Sequence, residues 1–251
     1  HYIMKILVCI SHVPDTTSKI NFINQDSAFD TNGVQFIINP NDEFGLTRAI
    51  WMQQKQQAEV TVVTVGDISC EPTLRKCLAI GANKAFRIDM QPTDGFQVAQ
   101  EIAALCKKES YDLIIAGRES IDYNGAMVPG MIAGLLNYNF VTNCTSLEVE
   151  GNHATASREI DGGIENVSCE LPLVIGAQKG LVEEKDLIIP NMRGIMQARQ
   201  KPFEVIPAND SVAKSSISKF EKPADKGAVK LIDADNIDLL IDLLHNEAKV
   251  I

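Results

Sequence analysis

The stretch Ala116-Gly117-Arg118-Glu119-Ser120-Ile121-Asp122-Tyr123-Asn124-Gly125-Ala126-Met127-Val128-Pro129-Gly130 is the part of the chain best equipped for chemistry, and the chemistry is anion binding. It follows an apolar strand expected over Tyr111 to Ala116 and leads into an apolar helix expected to begin near Pro129. Proline at the first helical position lacks an N–H and is pre-set for the helical turn. The N–H groups of Ala126, Met127 and Val128 would then be unpaired donors at a helix N-terminus, where the peptide dipoles leave partial positive charge. A nucleotide phosphate could be held there by backbone alone. Neither the G-x-G-x-x-G fingerprint nor the lysine-bearing phosphate loop is present. An ordinary strand-to-helix connection has the same pattern, so both readings stand.

Bond-making chemistry has few candidates. The four histidines form no His-x-x-x-His pair, there is no Gly-x-Ser-x-Gly elbow, and the cysteines lack metal spacing. Arg158-Glu159 with Asp161 lies beside a Gly-Gly turn, where an exposed ion pair is the simpler reading. No catalytic residue and no metal site are expected.

A loop that presents amides this way must be set on a sheet with helices on its faces, and the chain alternates strand-like and helix-like periods accordingly. Lys5 to Ile10 suits a buried strand, and Val34 to Ile38 is extended ahead of Asn39-Pro40. Asn39 as N-cap, Pro40, and acidic Asp42 and Glu43 in the first turn predict a helix from about Asn41 to Gln57. A strand over Glu59 to Val65, a helix over Glu71 to Ile80 stopped by Gly81, and a strand over Ala85 to Ile88 follow. A helix over Phe96 to Glu109 capped by Asp94 then leads to a strand over Leu113 to Ala116. The expected fold is α/β, a doubly wound, mainly parallel, Rossmann-like sheet. Ligands of such sheets bind beyond the carboxyl ends of the strands where chain direction diverges. Cys9 to His12, Val65-Gly66-Asp67 and Gly117 to Val128 are therefore expected to line one crevice. Gly66 and Gly117 would let backbone approach a ligand, although glycine at a strand end also serves ordinary turns.

The second half reads differently. Ser146 to Val149 and Ala154 to Ile160 form an expected hairpin about Gly151-Asn152, and Asp161-Gly162-Gly163 turns into Ile164 to Leu171. Leu173 to Ala177 is a buried strand after Pro172. The loop from Leu181 to Met196 has more large apolar residues than a solvated connection needs, which points to a partner. From Lys201-Pro202 to Gly227 the chain is polar and broken by Pro207 and Pro223, which predicts an arm with little core of its own. Asn236 to Ala248 puts Ile237, Leu240, Ile241 and Leu244 on one helical face. Residues 4–200 are thus expected as the α/β domain, with the antiparallel hairpin strands of 146–171 added, and residues 201–251 as a C-terminal arm.

With 251 residues, 45% of them hydrophobic, the chain can bury a large core. A formal charge of −10 and a pI near 4.9 weigh against nucleic acid or an anionic membrane as partner. No segment approaches the roughly 20 apolar residues of a membrane span, and Met4-Lys5-Ile6-Leu7-Val8-Cys9-Ile10 has no signal-peptide cleavage pattern. His1-Tyr2-Ile3 ahead of Met4 reads as an addition to the native start. Cys9, Cys70, Cys77, Cys106, Cys144 and Cys169 are scattered among apolar positions without a Cys-x-x-Cys pair, as expected of buried thiols in a reducing, cytoplasmic setting.

Several motifs fall in one order along the chain. They are Lys5-Ile6-Leu7-Val8 with Val13-Pro14-Asp15, Asn39-Pro40 with Asp42-Glu43, and Thr73-Leu74-Arg75 ahead of Gly81-Ala82. Next come Arg158-Glu159-Ile160-Asp161-Gly162-Gly163 with Glu165 and Leu171-Pro172, and Ile195-Met196-Gln197-Ala198 running into Lys201-Pro202. Together they resemble the beta subunit of electron transfer flavoprotein over nearly the whole chain, from Met4 to Ile251. The resemblance implies an adenine nucleotide alpha hydrolase-like fold and a heterodimer with an alpha subunit that holds most of the redox FAD. Such a heterodimer collects electrons from acyl-CoA and related dehydrogenases, as in fatty acid beta-oxidation, and passes them to a quinone reductase. The implied ligand of the beta subunit is a structural AMP. Carried over by position, AMP would touch Cys9, Asn39, Val65 and Gly66, with Gly117, Ser120, Asp122, Tyr123, Asn124 and Gly125 around it. Its phosphate would lie on the Ala126, Met127 and Val128 amides.

The chain also departs from that family. Many members end this loop Asn-Gln-Thr-Gly, whereas Tyr123-Asn124-Gly125-Ala126-Met127-Val128-Pro129-Gly130 loses side-chain donors and keeps backbone ones. Electron-bifurcating relatives place a second FAD in the crevice with a Gly-Asp-Thr-Ala-Gln-Val-Gly pattern, of which this chain keeps only the Val. Thr16 and Asn41 stand where some relatives turn aromatic residues toward the flavin. Leu187 to Met196 resembles the recognition loop that plugs an apolar side chain into a dehydrogenase, with Ile188, Ile189, Met192 and Ile195 as docking residues. Register from Lys201-Pro202 makes Met192 the anchor, and register from Pro190-Asn191 makes it Ile189. The arm would dock on the alpha subunit. A bifurcating subunit with a second FAD in place of AMP, and a universal-stress-type adenine-nucleotide module, remain as alternatives.

Overall fold

The computed structural model describes residues 2–251; His1, part of the expected added start, lies outside them. The first strand, β1 (Lys5–Cys9), is followed by short strands β2 (His12–Pro14), β3 (Phe22–Ile23), β4 (Ala28–Phe29) and β5 (Phe36–Ile38), then by helix α1 (Pro40–Gln56). The alternation continues with β6 (Glu59–Gly66), α2 (Glu71–Ile80), β7 (Lys84–Asp89), α3 (Gly95–Lys108), β8 (Leu113–Gly117) and α4 (Val128–Leu136). Strands β9 (Asn139–Glu150), β10 (His153–Ile160), β11 (Gly163–Glu170) and β12 (Leu173–Ala177) come next. The chain ends with α5 (Met192–Ala198), β13 (Phe203–Pro207) and α6 (Ile237–Asp242).

One nine-stranded sheet carries the fold, in the order β11-β10-β9-β12-β8-β1-β6-β7-β13. From β9 to β13 the neighbours run parallel, and β9, β10 and β11 meander antiparallel at one edge. Successive side chains of a strand face opposite ways, so Ile6 and Val8 enter a core layer with residues of α1 and α2. Leu7 and Cys9 enter a second layer with residues of α3 and α4. A strand flanked by two apolar layers must be apolar throughout, as Lys5-Ile6-Leu7-Val8-Cys9 nearly is. The chain builds from β1 through β6 to β7 on one side, then crosses back to β8 on the other. Direction therefore diverges between β1 and β8.

Several elements differ from the sequence expectation for local physical reasons. The helix of the first half keeps Asn39 at its N-cap, but the Asn39 side chain makes no cap hydrogen bond and turns elsewhere. Strand β9 begins at Asn139 rather than Ser146, because its polar first half pairs with β12 while its second half pairs with β10. The two hairpins turn as expected, with Gly151 at φ 59° and Gly162 at φ 80°, where glycine carries no Cβ penalty. Arg158 Nη1 meets Glu165 Oε2 at 2.7 Å across the second hairpin. Met192 to Ala198 is helical where a loop was expected. Asn191 caps it by accepting from the Gly194 amide at 2.8 Å, and a Cβ at Gly194 would stand 2.5 Å from the Ala79 carbonyl oxygen of α2. Phe203–Pro207, expected within a coreless arm, is an edge strand on β7. It is seated by Lys201 Nζ, which donates to the Leu78 and Ala82 carbonyls at 2.7 and 2.8 Å and so closes the C-terminal end of α2. The last helix keeps Asn236 as its cap and widens after α6 into a π-type turn over Leu243–Glu247.

Candidate functional site

The first turn of α1 is latched to the ends of β1 and β8, and the latch is built from the Asn39-Pro40-Asn41-Asp42 sequence. Asp42 is buried, and its carboxylate accepts from the Ser11 amide and from the Gly117 amide, each at 2.7 Å. One side chain thus sets the spacing of the two strand ends between which chain direction diverges. Burial pushes the Asp42 carboxyl up to about 7, against the opposing pull of those two amides. Asn39 forgoes its own helix cap. Its Nδ2 donates to the Glu119 carbonyl at 2.9 Å and its Oδ1 accepts from the Ile121 amide at 3.1 Å. Asn41 Nδ2 adds a second donor to the Glu119 carbonyl at 3.1 Å. These bonds fix the start of the β8–α4 loop before it reaches the expected cradle.

Beyond the latch the loop turns on itself. Ser120 Oγ donates to Asp122 Oδ1 at 2.5 Å, and the Tyr123 amide donates to the same oxygen at 2.9 Å. Asn124 and Ala126 then take positive φ angles of 51° and 54°. For alanine that conformation costs on the order of 1 kcal/mol. Ala126 in the left-handed region followed by Met127 at φ −117°, ψ −23° is the alternation that turns successive amides toward one point and forms an anion-binding nest. Helix α4 begins at the next residue, with Pro129 in its first turn. Among the described residues no protein acceptor takes the Ala126 or Met127 amide. Met127 is 47% exposed and Tyr123 62% exposed, so the loop turns these side chains to its outer face.

The other sequence-singled residues take different stations. Cys9 is packed into the α3–α4 layer below the crevice floor, where burial pushes its thiol well above the ordinary range and leaves it inert. Gly117 is buried, and its missing Cβ makes room for Asp42 and Asn41. Val65 and Gly66 close the neighbouring strand β6. A Cβ at Gly66 would meet Cys70 Sγ at 3.1 Å, and the Gly66 carbonyl accepts from Arg87 Nη1 at 3.0 Å. Arg87, itself held by Glu71 and Asp89, is a buried anchor that no motif announced. At the start of β2, His12 stacks on Phe36 with centroids 4.4 Å apart and lies 2.7 Å from Thr73 Oγ1. Burial lowers its pKa, with Asp67 pulling the other way.

The apolar segment before β13 divides by exposure. Leu187 and Ile188 pack against the core and root it, whereas Ile189 is 85% exposed and Met192 72% exposed. Ile195 and Met196 extend the same exposed stretch. Among the described residues no helix is long and apolar enough to cross a membrane, and no group of three His, Cys, Asp or Glu is placed to hold a metal ion.

A family model described as the electron transfer flavoprotein domain matches residues 26–211. The electron transfer flavoprotein subunit beta of Bacillus subtilis is 33% identical over 262 residues, covering 99% of this chain and 100% of that protein. The protein of the same name from Syntrophomonas wolfei is 32% identical, with 98% of each chain covered. That from Homo sapiens is 31% identical, covering 90% of this chain and 91% of its own length.

Proposed function

Because the chain belongs to the electron transfer flavoprotein beta-subunit family, we propose that it is the electron-carrier half of a heterodimer with an alpha subunit. It retains a structural AMP, helps hold the FAD of the alpha subunit and docks acyl-CoA and related dehydrogenases whose electrons go on to a quinone reductase. The observation that carries the nucleotide reading is the pair of unpaired amides, Ala126 and Met127, at the N-terminus of α4 beside the divergence of β1 and β8. FAD supplies the redox chemistry when bound, and AMP supplies none. This chain's residues bind and orient. The Ala126, Met127 and Val128 amides would hold the phosphate, the Asn39 and Asp42 latch holds the loop that presents them, and the Val65-Gly66 end of β6 would line the nucleotide. Retaining the phosphate through backbone donors suits a loop that has lost the usual side-chain donors.

Coexpression with the alpha partner, release of ligands by denaturation and measurement of AMP and FAD per heterodimer test this reading. One of each is expected. Two FAD without AMP would move the assignment to an electron-bifurcating subunit, one FAD with no AMP would reject the cradle, and failure to copurify would reject the heterodimer.

The exposed Ile189 and Met192 are the docking residues in this reading. An aromatic or aliphatic anchor at a protein interface typically contributes about 2 kcal/mol. Ile189→Glu and Met192→Ala are each expected to lower kcat/KM for dehydrogenase-to-flavin transfer by roughly 10–30-fold, with AMP and FAD content unchanged. Wild-type transfer in both variants would reject the assignment.

A further inference from the structure

The segment after β13 takes an unexpected path. The Asn209 amide donates to both oxygens of the buried Glu101 carboxylate on α3, at 3.1 and 3.0 Å. The chain then runs back along α3, with Gln97 Nε2 donating to the Ser211 carbonyl and Gln100 Nε2 to the Val212 carbonyl. At the N-cap of α3 it is tied down again, as Asp94 Oδ2 accepts from the Lys214 amide at 2.6 Å and the Ser215 amide at 2.8 Å. That point adjoins the cradle, since a Cβ at Gly95 would meet Val128 Cγ2 at 3.2 Å and Met127 Cγ at 3.6 Å. Past it, Phe220 stacks on Phe22 with centroids 4.9 Å apart and stands 6.5 Å from the Tyr123 ring. The Phe220 amide donates to the Asp26 carbonyl at 2.7 Å, and Lys222 Nζ donates to Asn21 Oδ1. An otherwise polar stretch is therefore tied to the α3 N-cap that adjoins Met127 and Val128, and it places its one aromatic ring beside Tyr123.

We propose that residues 209–222 form a strap along the rim of the crevice, with Phe220 holding the Tyr123–Met127 loop through Tyr123, so that nucleotide exchanges only when the strap lifts. This rests on the nucleotide reading of the cradle. The cost of lifting is set at its two ends. The Asp94 and Glu101 ties hold the near end to α3, while the far end is held by one stacked ring and two hydrogen bonds, so release starts at Phe220. Continuation of the same arm to α6, which exposes Ile237, Leu240 and Ile241, gives a partner docked on the arm leverage over nucleotide exchange.

The test is made on the heterodimer. Dissociation of bound AMP, followed by chase with excess unlabelled nucleotide, is expected to quicken by roughly tenfold in Phe220→Ala, the scale of losing one aromatic pair. Phe220→Tyr, which keeps the ring, is expected to stay near the wild-type rate, and FAD content and copurification should be unchanged in both. An unaltered AMP release rate in Phe220→Ala overturns the strap. Should the wild-type heterodimer carry no AMP, the nucleotide reading fails on its own. Hydrogen exchange then decides the strap: faster exchange of the 120–127 amides in Phe220→Ala sustains the clamp, and unchanged exchange overturns it.

Discussion

Gly117→Ala is expected to cost the protein about 2–4 kcal/mol of stability and to release the AMP proposed for the crevice. A Cβ there would stand 2.4 Å from Asp42 Oδ1, 2.8 Å from Asn41 Cβ and 2.9 Å from Asn39 Nδ2. None of these is the free end of a flexible side chain. Asp42 is tied to the Ser11 and Gly117 amides, and Asn39 is tied to Glu119 and Ile121. Relief must therefore move the N-terminus of α1 away from β8, and that motion breaks the bonds that fix the β8–α4 loop. For a chain of this size the thermal midpoint should fall by roughly 5–15 °C. Gly134→Ala provides the contrast, because that helical glycine has open space where the Cβ would go and alanine favours helix by up to about 1 kcal/mol. Loss of AMP and a large midpoint shift in Gly117→Ala, with neither in Gly134→Ala, is the expected pattern. A shift below about 3 °C with AMP retained would show that the latch can slide and does not shape the crevice.

The layered part of the fold was legible because its signals are local. Apolar runs bounded by Pro and Gly gave the parallel strands, Asp94 caps α3 as its sequence context suggests, accepting from Gln97 at 2.8 Å, and Asp161-Gly162 turns the second hairpin. What escaped was set by tertiary partners. Asn39 looks like a helix cap in sequence, yet the orphan backbone groups of Glu119 and Ile121, far along the chain, compete for the same side chain and win. The first half of β9 and strand β13 escaped because a half-polar or half-exposed strand leaves little periodic trace, and only the pairing with β12 or β7 makes it a strand. At the site, the position of the cradle could be read from Pro129 and the apolar helix behind it. The left-handed Ala126 could not, since Gly125 beside it was the obvious residue to take that conformation. Phe220 was invisible as well, being the one phenylalanine in the polar stretch after β13, with a stacking partner, Phe22, near the other end of the sequence.

Asp42→Asn is expected to change how stability depends on pH between about pH 5 and 7. The folded carboxyl titrates at about 7 and the unfolded one at 3.8. Well below 3.8 both states are protonated. As pH rises from there the unfolded chain releases its proton while the folded one keeps it, so this group's contribution to stability is fully present at low pH and is lost as pH climbs through 7. The slope approaches about 1.4 kcal/mol per pH unit, or about 2 kcal/mol between pH 5 and 7. Other groups act in or near this window. Glu43, raised by burial, has the same sign; His12, lowered by burial, has the opposite sign, its neutral form favouring the fold as pH rises. Asp67 and Asp94, held low by hydrogen bonds, lose their contribution only below about pH 4. All four remain in the variant, so the difference between wild-type and Asp42→Asn unfolding free energies isolates Asp42. That difference should shift against the wild type by about 2 kcal/mol from pH 5 to pH 7 in urea melts at matched ionic strength. A constant offset across the range would mean that Asp42 is ionised in the folded protein throughout, with the Ser11 and Gly117 amides outweighing its burial. The latch would then be a fixed charge at the crevice rather than a proton-bearing hinge between β1 and β8.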